Sequence, residues 1–332
     1  MKRSAIIMVV LLILTLALMA SCAGKGQGDE SEAKYFKVTF NSNGGSAVDF
    51  ATVIEGGTVS EPAIPSRDGW VFCGWFDEKG KAWSFSTDNV SSDITLTAKW
   101  LESTAVFDYE LVEGMDGCVL ITKLKAECYS TVIVPETISG LSVVGIGEQA
   151  FIEAGSYNVK KIILPEAVTI VGKNAFKDCS EIKIDVKGKL TRVDEGAFFG
   201  CAGLEEVGFG EGLIQIGVQA FSGCTGIESI AFPSSLENIE ENAFENCSSL
   251  VYVVLHENTK ISNGAFIDCS SLVTVFYNGD AESFGEIFAE ENDDHGNEKI
   301  KNAKLYLYSE EEPSADGSYW YFDDKGRIKI WK

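Results

Sequence analysis

A short motif that recurs along most of the chain constrains the fold more than any other sequence feature. The pair Ala-Phe occurs in phase six times, with its phenylalanines at Phe151, Phe176, Phe198, Phe221, Phe244 and Phe266. The intervals between them are 25, 22, 23, 23 and 22 residues. An Ile or Val stands five residues before each of these phenylalanines, and a cysteine stands three residues after the last five. This fixed period predicts a solenoid, in which each coil buries its apolar positions against the next coil.

Within one coil the sequence predicts a short strand and a turn. Apolar residues alternate in Leu250-x-x-Val253-x-Leu255, a pattern typical of a strand with one buried face. The segment that leads into Ala-Phe, such as Glu240–Phe244, suits a helical turn on the other side of the coil. Inward residues of the same kind should then stack into ladders along the solenoid axis.

The repeat cysteines would form one of these ladders, at Cys179, Cys201, Cys224, Cys247 and Cys269. Stacked strands lie about 4.8 Å apart, whereas a disulfide brings its Cβ atoms to about 3.8 Å. We therefore expect buried thiols, and a single line of one ligand type does not make a tetrahedral metal site. A Cys224→Ser substitution should then bury a hydroxyl without a partner. Elsewhere, Cys118 and Cys128 flank a possible hairpin and are either a disulfide or two thiols.

The repeat resembles the BspA-like leucine-rich-repeat family. The likeness is clearest over Cys224–Phe244, which places family residues at Ile227, Ile230, Phe232-Pro233, Leu236, Ile239 and Ala243-Phe244. The resemblance implies a solenoid over residues 102–303, whose first coil is Val132–Phe151, and a C-terminal β-hairpin cap over residues 304–332. Proteins of this family lie on cell surfaces, and several act in adhesion to host or microbial surfaces.

Residues 35–101 form a separate segment with its own aromatic residues. They contain VTFNSNGG at Val38–Gly45, DGWVFCGWF at Asp68–Phe76, WSFST at Trp83–Thr87 and ITLTAKW at Ile94–Trp100. These motifs resemble the Listeria–Bacteroides repeat, also called the internalin B-repeat, which implies a small β-grasp-like domain that is often a spacer. Trp70, Trp75 and Trp100 are either its core or a platform for sugar stacking. We therefore expect a mainly β chain with short helical turns, in which a leucine-rich-repeat solenoid follows this domain.

The N-terminus has the pattern of an export signal. Met1-Lys2-Arg3 is positively charged, and the apolar run from Ala5 to Leu18 is too short for a stable membrane span. The residues before Cys22 resemble a bacterial lipobox, which implies that residues 1–21 are a lipoprotein signal peptide and that Cys22 is lipidated. An ordinary signal peptide with an incidental cysteine is the alternative. Residues 22–34 are rich in Gly and charge and would be a flexible tether.

The charge balance and the absence of catalytic motifs limit the possible functions. The chain has 27 Lys and Arg against 50 Asp and Glu, a net charge of −23, which disfavours nucleic acid as a partner. We find no nucleophile elbow, phosphate loop or paired-carboxylate motif, and we expect no enzymatic activity, no cofactor and no metal. The acidic insert at 286–298, which contains His295, is either a solvated loop or a cation site. His256 is expected at the rim of a coil.

These observations favour a lipid-anchored protein of the cell envelope that binds through its solenoid. The candidate binding face consists of outward strand positions, Glu205, Glu206, Glu228 and Tyr252. Host or microbial surface proteins or glycans are the expected partners, with the membrane reached through the N-terminal lipid. The alternative is a structural display protein without a specific ligand. In later coils the outward positions become apolar, so either the segment Tyr319–Phe322 or an external ligand should cover them.

Overall fold

The computed structural model describes residues 33–125, 131–157, 159–288, 296–313 and 317–331. Within these ranges the chain is mainly β, as the sequence predicts. The strands are β1 (Tyr35–Asn41), β2 (Ala51–Ile54), β3 (Trp70–Phe76), β4 (Ile94–Glu102), β5 (Phe107–Leu111), β6 (Cys118–Leu124), β7 (Thr131–Ile133), β8 (Thr137–Ile138), β9 (Leu141–Ile146), β10 (Lys161–Leu164), β11 (Ile170–Val171), β12 (Lys183–Val186), β13 (Lys189–Leu190), β14 (Arg192–Val193), β15 (Gly208–Phe209), β16 (Gln215–Ile216), β17 (Ser229–Ala231), β18 (Asn238–Ile239), β19 (Tyr252–His256), β20 (Lys260–Ile261), β21 (Thr274–Asn278), β22 (Lys304–Tyr308), β23 (Tyr319–Phe322) and β24 (Ile328–Ile330). The helical segments are α1 (Ser103–Val106), a 3-10 turn (Ala154–Tyr157), α2 (Ala281–Glu286) and α3 (Glu298–Lys301).

The first domain is a four-stranded mixed sheet in the order β2-β1-β4-β3. Its two central strands, β1 and β4, are parallel, and each outer strand is antiparallel to its neighbour. One face carries an aromatic core, in which the Phe40 and Phe72 rings each lie edge-on to Trp75, at 5.0 and 5.5 Å between centroids. The alternation of apolar and polar residues in β1 predicts this arrangement, because successive side chains of a strand point to opposite faces.

The aliphatic positions of the repeat form a continuous parallel ladder, as predicted. The sheet order is β20-β18-β16-β14-β11-β9-β6-β5. Its register pairs the buried residues that stand five before each phenylalanine, namely Ile146, Val171, Val193, Ile216, Ile239 and Ile261. The antiparallel hairpin of β5 and β6 precedes the first coil and continues the same sheet.

The repeat phenylalanines stack along the solenoid axis. From Phe151 to Phe266, each ring lies 5.0 to 5.3 Å from the next between centroids. Neighbouring rings are inclined by 25° at the first step and by 3° to 13° at the later steps. All six side chains are fully buried. Because every coil presents the same ring at the same place, each added coil buries one further aromatic surface.

The turn into Ala-Phe differs from the helical turn expected at Glu240–Phe244. Residues 241–246 form hydrogen-bonded turns, and Asn242 and Asn246 adopt left-handed φ angles of 55° and 61°. A left-handed residue ends any continuation of a right-handed helix. The backbone is satisfied by the next coil instead, since the Phe244 N–H donates to the Ala265 carbonyl at 2.8 Å.

A second side of the coils carries the longer strands. These form three parallel groups, in the orders β7-β10-β12, β13-β15 and β17-β19-β21-β22-β23, with β24 added antiparallel to β23. Strands β19 and β21 coincide with the apolar alternation seen in the sequence. The structure alters the interpretation of the tail, because β22 continues the parallel ladder and only β23 and β24 form the terminal hairpin.

The first domain packs directly onto the beginning of the solenoid. Strand β3 is buried on both faces, because Phe72 points into the first domain's own core while Val71 and Cys73 belong to the solenoid core. At the edge of this contact, the Thr137 hydroxyl donates to the Asp68 carboxylate at 2.7 Å. A repeat array needs an end that hides its apolar interior. The first domain therefore covers part of the first coil, together with the hairpin of β5 and β6, whose Phe107 ring lies 6.2 Å from the Phe151 ring between centroids.

The last coil is closed by a buried amide. Asn297 is 1% exposed, its Oδ1 accepts from the Phe266 N–H at 3.1 Å, and its Nδ2 donates to the Ser262 carbonyl at 3.0 Å. In earlier coils the following coil supplies the acceptor for the phenylalanine N–H. Asn297 therefore takes the place of a further repeat.

Candidate binding surface

The side of the solenoid that carries the longer strands, here called the strand side, has a break in its strand pairing between β12 and β17. Strand β12 meets the following coil only at an isolated bridge, Ile184–Leu204, and β17 pairs with β19 but with no strand of the preceding coil. The break is confined to the strand side, because β14 and β16 of the aliphatic ladder stay paired across the same coils. The opening is a groove of about 550 Å³.

Three of the four predicted binding residues lie at this groove. Glu205, Glu206 and Glu228 line it and are exposed, and Ser229 forms part of its wall. The Glu205 carboxylate is engaged by the Lys183 ammonium at 2.6 Å, and this hydrogen bond raises the pKa of Lys183. Glu206 and Glu228 make no ion pair with any described residue. The groove therefore keeps two carboxylates available to an incoming cation.

Tyr252 lies one strand further along, outside the groove lining. It pairs in register with Ser229 of the groove wall. Its ring is half-buried and meets the Phe276 ring edge-on, with 5.6 Å between centroids. The structure thus places the three glutamates together and gives Tyr252 a packing role beside them, with part of the ring still exposed.

The apolar outward rows of the later coils are covered in part by the C-terminal hairpin. Val254, Phe276, Tyr306 and Trp320 form one buried cluster. Trp320 is fully buried, and its indole N–H donates to the Tyr277 carbonyl at 3.3 Å. At the start of the same strands the cover is missing, because Val251 and Val273 remain 41% and 55% exposed. An apolar row one coil away from the groove is therefore open to solvent.

The cysteine ladder is made of buried thiols without disulfides, as predicted. Each thiol donates to the carbonyl of the phenylalanine in the preceding coil, at 3.0 to 3.6 Å. For Cys224 the acceptor is the Phe198 carbonyl at 3.2 Å. The expectation that a serine at position 224 would bury an unpaired hydroxyl is therefore wrong. Burial raises the pKa of Cys179 to about 12 and raises the pKa of Cys201 as well, so these thiols are poor nucleophiles.

The aromatic residues of the first domain divide between core and surface. Trp75 and Trp100 are buried in the core, as the first of the two interpretations predicts. Trp70 is half-buried, and the Arg67 guanidinium lies over its ring at 4.0 Å from the centroid. His256 is half-buried at the end of β19, consistent with a rim position, and burial lowers its pKa.

Several predicted features lie outside the described residues. These are the signal peptide at residues 1–21, the lipidation site Cys22, the tether up to residue 32, Cys128 of the possible Cys118 pair, and residues 289–295 of the acidic insert. Within the described ranges, we find no group of three or more His, Cys, Asp or Glu side chains placed to hold a metal ion. In the same ranges, none of the helices has the length and apolar character required to span a membrane.

Comparison with known families agrees with both halves of this architecture. The model of the BspA-type leucine-rich-repeat region matches residues 122–210 and 169–292 in six copies, more than half of the chain. The chain belongs to the BspA-type leucine-rich-repeat family. Residues 36–99 of this BspA-type protein also match the model of the Listeria–Bacteroides repeat domain.

Individual relatives share only parts of the chain. A protein of Evansella cellulosilytica, described as a candidate membrane protein, is 34% identical over 106 residues, which are 31% of this chain and 15% of that protein. Internalin H of Listeria monocytogenes is 40% identical over 57 residues, which are 16% of this chain and 10% of that protein. The chain therefore spans less than a sixth of the length of these curated relatives.

Solved structures of bacterial leucine-rich-repeat proteins are similar to part of the chain. The leucine-rich-repeat protein of T. pallidum is 28% identical with a TM-score of 0.45, covering 51% of this chain and 78% of that one. A leucine-rich cell surface protein of Faecalibacterium prausnitzii is 20% identical with a TM-score of 0.42, covering 68% of this chain and 59% of that one.

Proposed function

We propose that this protein is exported, anchored by lipid at Cys22, and displayed on the bacterial cell envelope. The charged, apolar and small-residue regions before Cys22 support this anchor. The names of the relatives, a candidate membrane protein and a leucine-rich cell surface protein, are in line with an envelope location.

The anchor is tested by replacing the acylated cysteine in the full chain. A Cys22→Ala variant should leave the detergent phase and appear as secreted protein, whereas a Ser21→Ala variant should remain in the detergent phase. Equal membrane retention of the Cys22→Ala variant would contradict lipid anchoring.

We further propose that the strand side of the solenoid binds a protein partner in adhesion. The observation that carries this is the proximity of two kinds of surface, the groove with Glu206 and Glu228 and the exposed row of Val251 and Val273. Apolar area supplies binding free energy, while charge guides the approach and sets specificity. A partner with basic residues next to an apolar patch would meet both surfaces at once.

The binding proposal is tested with a charge reversal that leaves the Glu205–Lys183 ion pair intact. The full chain is screened against extracellular-matrix proteins and microbial surface proteins, and association rates are measured at low and high salt. The pair Glu206→Lys and Glu228→Lys should slow association at low salt, because it reverses the charge that attracts a basic partner. The difference from the unmodified protein should shrink at high salt, because exposed charges are already screened over only about 8–10 Å in physiological salt.

The matched control reverses two exposed carboxylates away from the groove, Glu237→Lys and Glu241→Lys. This pair changes the net charge by the same amount and should affect association much less. If both pairs slow association equally, the groove is not the contact surface. If the screen yields no partner at all, the alternative of a structural display protein is favoured.

A further inference from the structure

A second groove lies on the first domain. It has a volume of about 520 Å³, and its walls include Asn43, Arg67, Trp70, Thr97 and Lys99. Two of these side chains are cationic, and no acidic residue is part of the lining. The chain has a net charge of −23, so a groove lined by two cations and no carboxylate differs in sign of charge from the protein as a whole.

Arg67 is held in place before any ligand arrives. Its guanidinium lies 4.0 Å from the Trp70 ring centroid, and Nη1 donates to the Asn43 carbonyl at 3.4 Å. It forms no ion pair with any described residue. A guanidinium has several N–H donors in a fixed fork that matches a carboxylate, and only one hydrogen bond here uses them. The remaining donors therefore border the groove without a protein acceptor.

The other groups around the groove suit a hydroxylated ring. The Asn43 side-chain oxygen and the Thr97 hydroxyl have no hydrogen-bond partner among the described residues, so both can meet hydroxyl groups of a ligand. The half-buried Trp70 indole offers a ring the apolar surface that the Arg67 guanidinium leaves uncovered. Lys99 adds a second positive charge, with its ammonium 5.3 Å from the Phe76 ring centroid.

We propose that this groove binds a saccharide that carries a single carboxylate, with Arg67 as the carboxylate ligand. The volume falls within the range of small-molecule sites, about 300–1,000 Å³. A densely charged polyanion is disfavoured, because its repulsion by the net charge of −23 grows with the number of charges on the ligand and is smallest for a single carboxylate. This groove shares no lining residue with the groove at Glu206 and Glu228.

The proposal is tested by titrating the full chain with defined sugars, using saturation-transfer NMR. We expect 3′-sialyllactose or a disaccharide ending in glucuronic acid to bind, and lactose to bind at least about tenfold more weakly, since a charge-assisted bidentate contact is lost. An Arg67→Met variant, which keeps an apolar chain over Trp70, should lose about tenfold in affinity for the acidic sugar. A Lys99→Met variant should lose less.

A Lys37→Met variant is the matched control, because Lys37 also lies over an aromatic ring of the first domain, 4.5 Å from the Phe50 centroid, but does not line the groove. Its affinity for the acidic sugar should be unchanged. The proposal is wrong if neither acidic sugar binds, if lactose binds equally well, or if Arg67→Met and Lys37→Met behave alike. Equal competition by inorganic phosphate or heparin would overturn the assignment of a monocarboxylated sugar.

Discussion

A Val71→Ala substitution should destabilise the first coils of the solenoid although Val71 belongs to the other domain. The side chain is 1% exposed and lies in the solenoid core. Removing its methyl groups costs about 0.8 kcal/mol for each group withdrawn from the core, and the cavity adds a similar amount, giving about 2–3 kcal/mol in total. Because about 1.4 kcal/mol corresponds to a factor of ten, hydrogen exchange in the affected coils should accelerate by about 30- to 140-fold.

Hydrogen-exchange mass spectrometry on the full chain would measure this effect segment by segment. In the Val71→Ala variant, protection should fall both in β3 and in the first coils, β7 and β9. A Val253→Ala substitution makes the same deletion at a fully buried site in a distant coil, and its largest loss of protection should lie around β19. If Val71→Ala alters exchange only within residues 35–102, the first domain does not cover the solenoid and our reasoning fails.

Three further changes test the ladder and its closure by chemical denaturation and dye binding. Cys224→Ser should destabilise by only about 1 kcal/mol, because the Phe198 carbonyl can accept from the new hydroxyl; a cost above about 3 kcal/mol would refute this. Trp320→Ala should expose the outer apolar cluster, lower stability by about 3–5 kcal/mol and increase the binding of a hydrophobic dye, and unchanged dye binding would refute this. Asn297→Ala should cost about 2–3 kcal/mol, because the Phe266 N–H would lose its acceptor while buried, whereas a loss below about 0.5 kcal/mol would show that water replaces it.

The solenoid could be predicted from the sequence because each ladder position recurs with the same residue type. The position of a residue within the repeat determines which side chains stack. The aliphatic, phenylalanine and cysteine ladders therefore all follow from the repeat intervals of 22 to 25 residues. Two ion pairs follow the same period, because Lys183 and Glu205, and likewise Lys173 and Glu195, are 22 residues apart and meet at 2.6 and 2.7 Å. Comparing the charges of residues one period apart therefore predicts Lys183 as the partner of Glu205.

Other features depend on contacts between segments that share no period. Strand β3 has apolar residues at successive positions, which indicates burial on both faces, yet nothing in the pattern says that Val71 meets the solenoid. The opening beside β17 was also unpredictable, because Leu204, Val207 and Phe209 match the apolar positions of the following coil. Gly208 stands where that coil has Ala231, and the lower strand propensity of glycine is the one local difference in keeping with the interruption.

The two ends of the solenoid are covered by other parts of the chain, whereas its strand side has surface that a partner could contact directly. At the first coil apolar surface is buried under β3, and at the last coil Asn297 accepts the hydrogen bond of the buried Phe266 N–H while Trp320 covers the aromatic row. A further coil or a second copy would have to displace these groups before it could stack end to end. Binding at the side requires no such displacement, because the groove at β17 and the valine row beside it are already exposed. A partner that adds to the solenoid without unfolding it therefore has to approach from the side.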